Sequence, residues 1–288
     1  MNGKINLFCW KFINYFYIRF AREKYGLKRK KRNTKIIISL TSFPQRFPTL
    51  HLCLSSLFKQ ICKPDEIILY VDDDVKEDDI TVEIQKYVEY GLQIKKRKED
   101  IKPHKKYLYA MKEHPNDIII TVDDDMIYDS DLVYSLVKSY KKYPSCVSAK
   151  RVHKITFDEK GKIKPYSEWE SCCKTELEPQ NILLATGVGG VLYPPKCLYK
   201  DAFDIERIIR LCRNQDDIWL KLMEYLNGTK VVFAPSLKIT SNFIEMKEYT
   251  GLRFENVENG ANGNDICIQR LLNEYTNELK TIKREKFE

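Results

Sequence analysis

The sequence predicts a layered α/β protein built on a mostly parallel sheet. Three apolar, β-branched runs, Ile36–Leu40, Glu66–Val71 and Asp117–Val122, are separated by segments of helical apolar spacing. These runs are apolar along their whole length, as strands covered by helices on both faces are. Two of them end directly in acidic triplets, Asp72-Asp73-Asp74 and Asp123-Asp124-Asp125. Sheets of this kind bind ligands beyond the carboxyl ends of their strands, so those triplets stand where function is expected.

The elements follow in order. Ile36-Ile37-Ile38-Ser39-Leu40 reads as a buried strand. From Thr49 to Gln60, Leu50, Leu54, Leu57 and Phe58 fall at helical spacing. Glu66 to Val71 is a second strand, Ile80 to Tyr90 a second helix, and Leu92 to Ile94 a short strand. Lys105 to Lys112 is helical, Asp117 to Val122 is the third strong strand, and Asp129 to Lys142 is another helix. Past residue 143 the pattern loosens, and residues 150–185 mix polar and aromatic side chains with little periodicity. A glycine-rich stretch from Thr186 to Pro195 follows, then a helix from Asp216 to Leu226 and a late strand, Val231-Val232-Phe233. The last dozen residues are charged and expected to fray.

The bulk numbers fit one globular unit with an appendage. Of 288 residues, 43% are hydrophobic and 31% charged. Lysine and arginine total 49 against 41 acids, a net charge of +8, and the excess lies in residues 19–35. That run suits phosphates of anionic lipid, or it is a solvated arm. No nucleic-acid-binding module accompanies it. Ile5 to Phe20 is rich in aromatic and aliphatic residues but short for a span and interrupted by Lys11 and Arg19. It reads as a peripheral anchor on the inner membrane face, or as a helix packed on the protein. The nine cysteines show neither regular pairs nor metal spacing, so they read as reduced thiols in a cytosolic protein.

Three carboxylates at a strand end repel one another unless solvated or neutralised by a cation. Mg²⁺ and Mn²⁺ accept one or two carboxylates plus phosphate oxygens, so Asp123–Asp125 suits a metal and a diphosphate, or else opens the next helix. Thr41 and Asp73 are expected side by side at the sheet edge. There the carboxylate accepts the imide N–H of uracil and the hydroxyl bonds a base carbonyl. Asp216-Asp217 at a helix start is a candidate general base, or an N-cap. Lys105 is a candidate diphosphate contact, or a solvated turn residue. Gly189 and Gly190 would let backbone approach a sugar. Trp169 would stack on one, although aromatics also build cores.

Ser39-Leu40-Thr41-Ser42-Phe43, the helix ending at Gln60, and Pro64 to Asp73 together resemble the opening of family 2-type glycosyltransferases. Thr121-Val122-Asp123-Asp124-Asp125 resembles their DxD motif, and the likeness runs in order over about residues 35–235. The resemblance implies the glycosyltransferase-A fold, a Rossmann-like mixed, mostly parallel sheet flanked by helices. It implies a nucleotide-sugar donor, a UDP-sugar first, and a Mn²⁺ or Mg²⁺ cofactor. By the same resemblance Asp125 is the direct metal ligand with Asp123, Asp123 and Asp124 meet the donor, and Asp217 is the base with Asp216 as alternate. No histidine follows residue 153, and retaining relatives use a late one on the metal; its absence favours inversion. One departure stands out: Val75-Lys76 follows the first triplet in place of Gly-Ser.

The implied organisation is an N-terminal basic and aromatic segment (1–34), a donor-binding half (35–145), an acceptor-binding and catalytic half (146–275) and a charged tail (276–288). The implied acceptor is a glycan or lipid-linked sugar, as in bacterial polysaccharide biosynthesis. The competing expectations are an aspartate-nucleophile phosphohydrolase and an inactive, anion-binding protein of this fold.

Overall fold

A computed structural model describes residues 26–28, 32–235, 242–244 and 262–279. The chain runs β1 (Ile36–Thr41), α1 (Phe47–Phe58), β2 (Glu66–Asp72), α2 (Val82–Glu89), β3 (Leu92–Arg97), α3 (Lys105–Glu113) and β4 (Ile118–Thr121). There follow β5 (Met126–Ile127), α4 (Leu132–Lys142), β6 (Val147–Ala149), β7 (Val152–Lys154), β8 (Leu183–Ala185) and β9 (Val191–Tyr193). The remainder comprises α5 (Ile205–Cys212), α6 (Asp216–Leu226), β10 (Val231–Phe233), β11 (Asn242–Phe243) and α7 (Gly263–Glu274).

Seven strands form one sheet in the order β10-β6-β9-β4-β1-β2-β3. Every pairing is parallel except those of β9, which runs antiparallel to both β4 and β6. The sheet is thus mixed and mostly parallel, as the sequence predicts. Two small antiparallel pairs, β11-β5 and β7-β8, flank it.

Strand alternation distributes the core between the faces. Ile36, Ile38 and Leu40 of β1 join Ile67, Leu69 and Val71 of β2 and pack on Leu50, Leu54, Leu57 and Phe58 of α1. Ile37, Ile68, Tyr70 and Ile119 point the other way, with Ala110 of α3. Fully burying one such leucine or isoleucine contributes roughly 1.5–3 kcal/mol. A second core gathers β6, β8, β9, α5, α6 and α7 around Trp219 and Tyr275. Local signals set the helix starts. Pro48 falls in the first turn of α1, where its missing N–H has no helical partner to lose. The Asp204 carboxylate accepts from Arg207 N at 3.0 Å and caps α5.

Several expectations are corrected. α1 starts two residues before Thr49, α4 begins at Leu132 and not Asp129, and β3 runs on to Arg97. The stretch read as aperiodic holds β7 and β8, and the glycine-rich stretch leads into β9. Three residues are too few to display a period, and unlike Val231-Val232-Phe233 these short strands do not stand out as apolar runs from their surroundings. Cys212 and Cys267 form a disulfide between α5 and α7, against the expectation of nine reduced thiols. Helix packing brings together two cysteines 55 residues apart, which spacing alone does not signal. Cys53, Cys62, Cys146, Cys172, Cys173 and Cys197 are free. No helix among the described residues is long and apolar enough to cross a membrane. Most of the anchor expected over residues 5–35 and most of the charged tail lie outside the described residues, while Arg32 and Lys35 at the anchor's basic end pair with Asp65 and Glu66.

Candidate active site

Six strands present their carboxyl ends at one edge of the sheet, and β9, running the other way, presents its amino end there. Thr121 of β4 pairs with Val191 of β9. The turn Gly187–Gly189 before β9 therefore comes up beside Asp123, which follows β4.

Lys106, in the first turn of α3, is the pivot of this edge. Its Nζ lies 2.7 Å from Asp123 Oδ1 and 2.8 Å from Asp216 Oδ2, and its side chain is 5% exposed. Asp217 Oδ1 accepts a hydrogen bond from Gly187 N at 3.0 Å. A Cβ placed on Gly187 would lie 2.9 Å from Lys106 Nζ, 3.2 Å from Asp123 Oδ1 and 3.3 Å from Asp217 Oδ1. Four segments distant in sequence thus meet within one small volume, where an added Cβ would displace the Lys106 ammonium. Asp216 and Asp217 are the first two residues of α6, with Gln215 at the N-cap position. Their carboxylates reach out to Lys106 and Gly187 and do not cap their own helix.

The environment separates the two acids. Burial acts on both. At Asp216 the charge and hydrogen bond of Lys106 outweigh it and hold the carboxyl below its usual range. At Asp217 burial, reinforced by Asp216, pushes the carboxyl well up, with Lys106 opposing. Burial pulls the Lys106 ammonium down, but Asp123, Asp216 and Asp217 outweigh it and keep it charged. Environments that push paired acids apart in this way are how sites assign acid and base roles.

The rest of the acidic triplet turns toward the α1 side. Asp124 is buried and ion-paired with Arg46, and Asp125 Oδ2 lies 3.0 Å from the same Nη1. Burial raises Asp125 to about 6, Arg46 lowering it and Asp123 and Asp124 adding to the rise. Five carboxylates (Asp123, Asp124, Asp125, Asp216, Asp217) thus share two cations, Arg46 and Lys106. Among the described residues no three His, Cys, Asp or Glu side chains converge as a closed metal cage. Asp123 and Asp125 are nonetheless 29% and 28% exposed, carry hard oxygens, and lie in excess negative charge. That fits a divalent ion taking one or two protein ligands and completing its shell with phosphate oxygens.

The other expected residues divide. Thr41 and Asp73 both stand at the carboxyl edge, beyond neighbouring strands. The Asp73 side chain is exposed, and its N–H donates to Arg97 O at 3.0 Å. Thr41 Oγ1 donates its proton to Tyr70 O at 2.9 Å. Its hydroxyl therefore offers a base an acceptor, not the donor expected for a base carbonyl. Lys105 pairs with Asp72 of the first triplet and lies 3.6 Å from Asp100, over β2 and away from Asp123–Asp125. Consecutive helical residues diverge by about 100°, so the cation beside Asp123 is Lys106.

Trp169 is 7% exposed, its ring 4.9 Å from Tyr166 and its indole N–H donating to Lys164 O. It is a member of the second core, not an open stacking surface. Gly189 is required by Arg151, whose Cβ would lie 2.7 Å from an added Cβ, and Gly190 by φ +86° and Leu132. Packing thus accounts for both without a sugar. Sequence reasoning passed over Lys106, Arg46 and Gly187. Gly187 opens the glycine segment, and Arg46 closes the same Thr41–Arg46 loop that signalled the base site.

The family model described as Glycosyl transferase family 2 matches residues 40–189. No curated protein matches the chain. Among solved structures the chain is similar to S. aureus TarS 1-349 in complex with UDP, at 16% identity and TM-score 0.49, covering 84% of this chain and 72% of that one. It is similar to mannosyltransferase PcManGT from Pyrobaculum calidifontis in complex with GDP-Man and Mn²⁺, at 9% identity and TM-score 0.47, covering 79% and 63%. It is also similar to GalNAc-T7 with UDP, GalNAc and Mn²⁺, at 12% identity and TM-score 0.46, covering 71% of this chain. The chain spans only 43% of the length of GalNAc-T7.

Proposed function

The chain belongs to glycosyl transferase family 2, whose model takes in just over half of it, and we propose that it is an inverting, metal-dependent transferase using a UDP-sugar. The acceptor is a glycan or a lipid-linked sugar. Family membership speaks against the phosphohydrolase reading. One observation carries the proposal. Lys106 joins Asp123 of the strand-end triplet to Asp216 of the helix-start pair, while Gly187 ties in Asp217. A donor group at the triplet and an acceptor at the pair would then be neighbours.

In this reading residues 35–145 hold the donor and residues 146–275 the acceptor. Asp73 accepts from the base, Thr41 lies beside it, and Asp123 meets the donor. Asp125, with Asp123, would hold Mn²⁺ or Mg²⁺, which when bound supplies charge to the leaving diphosphate. Asp217 takes the proton of the acceptor hydroxyl as that oxygen bonds the anomeric carbon. The bond from that carbon to the diphosphate breaks, and its electron pair leaves with the diphosphate. The Gly187 N–H holds the Asp217 carboxylate in place for this task. Asp216 stays ionised against Lys106, and the pair fixes the start of α6. The basic run at residues 19–35 supports a location on the inner face of a membrane.

A donor screen tests the proposal. Release of nucleoside diphosphate from UDP-, GDP-, CDP- and dTDP-sugars is measured with Mn²⁺ and with chelator. Metal-dependent turnover of at least one donor is expected, with the anomeric centre inverted in the product by NMR. Turnover that persists in chelator, or a product of retained configuration, would contradict the corresponding part.

A further inference from the structure

Arg46 plays no part in the chemistry above, yet it lies against two members of the acidic triplet. It closes the short helical turn Pro44–Arg46 after β1, with its guanidinium 5.4 Å from the Phe43 ring centre. Its Nη1 pairs with Asp124 and lies 3.0 Å from Asp125 Oδ2. The two contacts differ in kind. Asp124 is 7% exposed, and its second oxygen, Oδ2, is buried with no hydrogen-bond partner among the described residues. Removing Arg46 from Asp124 would strand a buried charge, so that contact persists. Asp125 is more open to solvent, and its charge has other ways to be met.

We propose that Arg46 is a resident cation: it holds Asp124 permanently and competes with a divalent metal for Asp125, so that tight metal binding requires the donor diphosphate. The inference rests on the reading above that Asp125 takes the metal. A guanidinium stays charged at all working pH values, so the competition is permanent. The guanidinium occupies the Asp125 carboxylate that an incoming ion would take. The diphosphate brings negative charge of its own and tips the balance. Linkage then requires the metal to strengthen donor binding by the same factor. The middle aspartate is accordingly an anchor for the Thr41–Arg46 loop, not a donor ligand.

The test is Mn²⁺ binding to the full-length protein, read from the EPR signal of free Mn²⁺, with and without saturating UDP. Two variants are compared with the parent. Arg46→Met combined with Asp124→Asn removes one charge of each sign, so net charge is unchanged and no buried charge is stranded. Arg46→Lys keeps a cation for Asp124 on a shorter side chain, so an ammonium held there is drawn back from Asp125, which the single Nη1 of Arg46 also touches. The parent is expected to bind Mn²⁺ at least tenfold more tightly with UDP than without. Both variants are expected to bind Mn²⁺ alone about tenfold more tightly than the parent, shrinking the UDP effect in proportion. Parent-like affinities in either folded variant, with and without UDP, would overturn the role of Arg46. No Mn²⁺ binding by the parent even with UDP would overturn the metal reading and this inference with it.

Discussion

Lys106→Met removes the charge that joins the two halves of the site while keeping most of the buried stem. In the parent, Nζ stands 2.7 Å from Asp123 and 2.8 Å from Asp216, with the lysine side chain 5% and the Asp216 side chain 11% exposed. Breaking a buried ion pair from one side costs about 3–5 kcal/mol, because the partner is left uncompensated. Total stabilities run at about 5–15 kcal/mol, so the loss is a large fraction. At roughly 2–4 °C per kcal/mol for a chain of this size, Tm should fall by roughly 6–20 °C. The loss should also depend on pH. Without Lys106 the burial of Asp216 acts unopposed by its main counter-charge, so its folded pKa rises above the unfolded value. A carboxyl raised in the folded state is stabilising below its unfolded pKa, and that stability is lost as pH rises. The deficit should therefore be smaller near pH 4, about the unfolded carboxyl value, than at pH 8. Adding Asp216→Asn should restore much of it. Thermal unfolding followed by circular dichroism at both pH values reads all of this. A Lys106→Met protein melting within about 2 °C of the parent at pH 8 would refute the pivot, on the same conversion.

Three further outcomes are expected. Asp217→Asn should leave UDP affinity within about twofold while transfer falls by roughly 10²–10⁴, the usual contribution of a general base; transfer surviving in Asp217→Asn but not in Asp216→Asn would swap the two roles. Gly187→Ala should slow transfer at least tenfold while costing about 1–3 kcal/mol of stability, since its Cβ meets Lys106 Nζ at 2.9 Å; unchanged steady-state kinetics would show that the cluster tolerates a displaced lysine. His104 is wholly buried, and burial lowers its pKa to about 4, Asp216 and the Cys212 carbonyl opposing. Its unfolded pKa is about 6.5, so the unfolded chain binds the extra proton between those values, and about 3 kcal/mol of stability is lost as pH falls across them. Urea midpoints should drop more steeply over that window in the parent than in His104→Gln, and equal slopes would show that another group governs the acid side.

The strong elements were legible because they are long enough to show a period. Ile36–Leu40, Glu66–Val71 and Asp117–Val122 announce buried strands, and the acidic residues that follow them mark the functional edge. Asp216 at the start of α6 was equally plain. Hidden were the elements of three residues, β6 to β9, where a repeat of two has no room to register. β9 mattered most, for its reversed direction carries Gly187 up to Asp123.

The amino-acid sequence by itself determined the layered sheet and which segments bear the acids, because apolar periodicity and residue chemistry are local properties of the chain; the family was legible through the resemblance of Ser39–Phe43, Pro64–Asp73 and Thr121–Asp125. Tertiary structure alone decided that Lys106 and not Lys105 meets Asp123, that Asp124 belongs to Arg46, that Trp169 is core, and that Cys212 finds Cys267. Those outcomes depend on the rotational phase of a helix and on packing between segments far apart in the chain. Neither is written in the residues nearby.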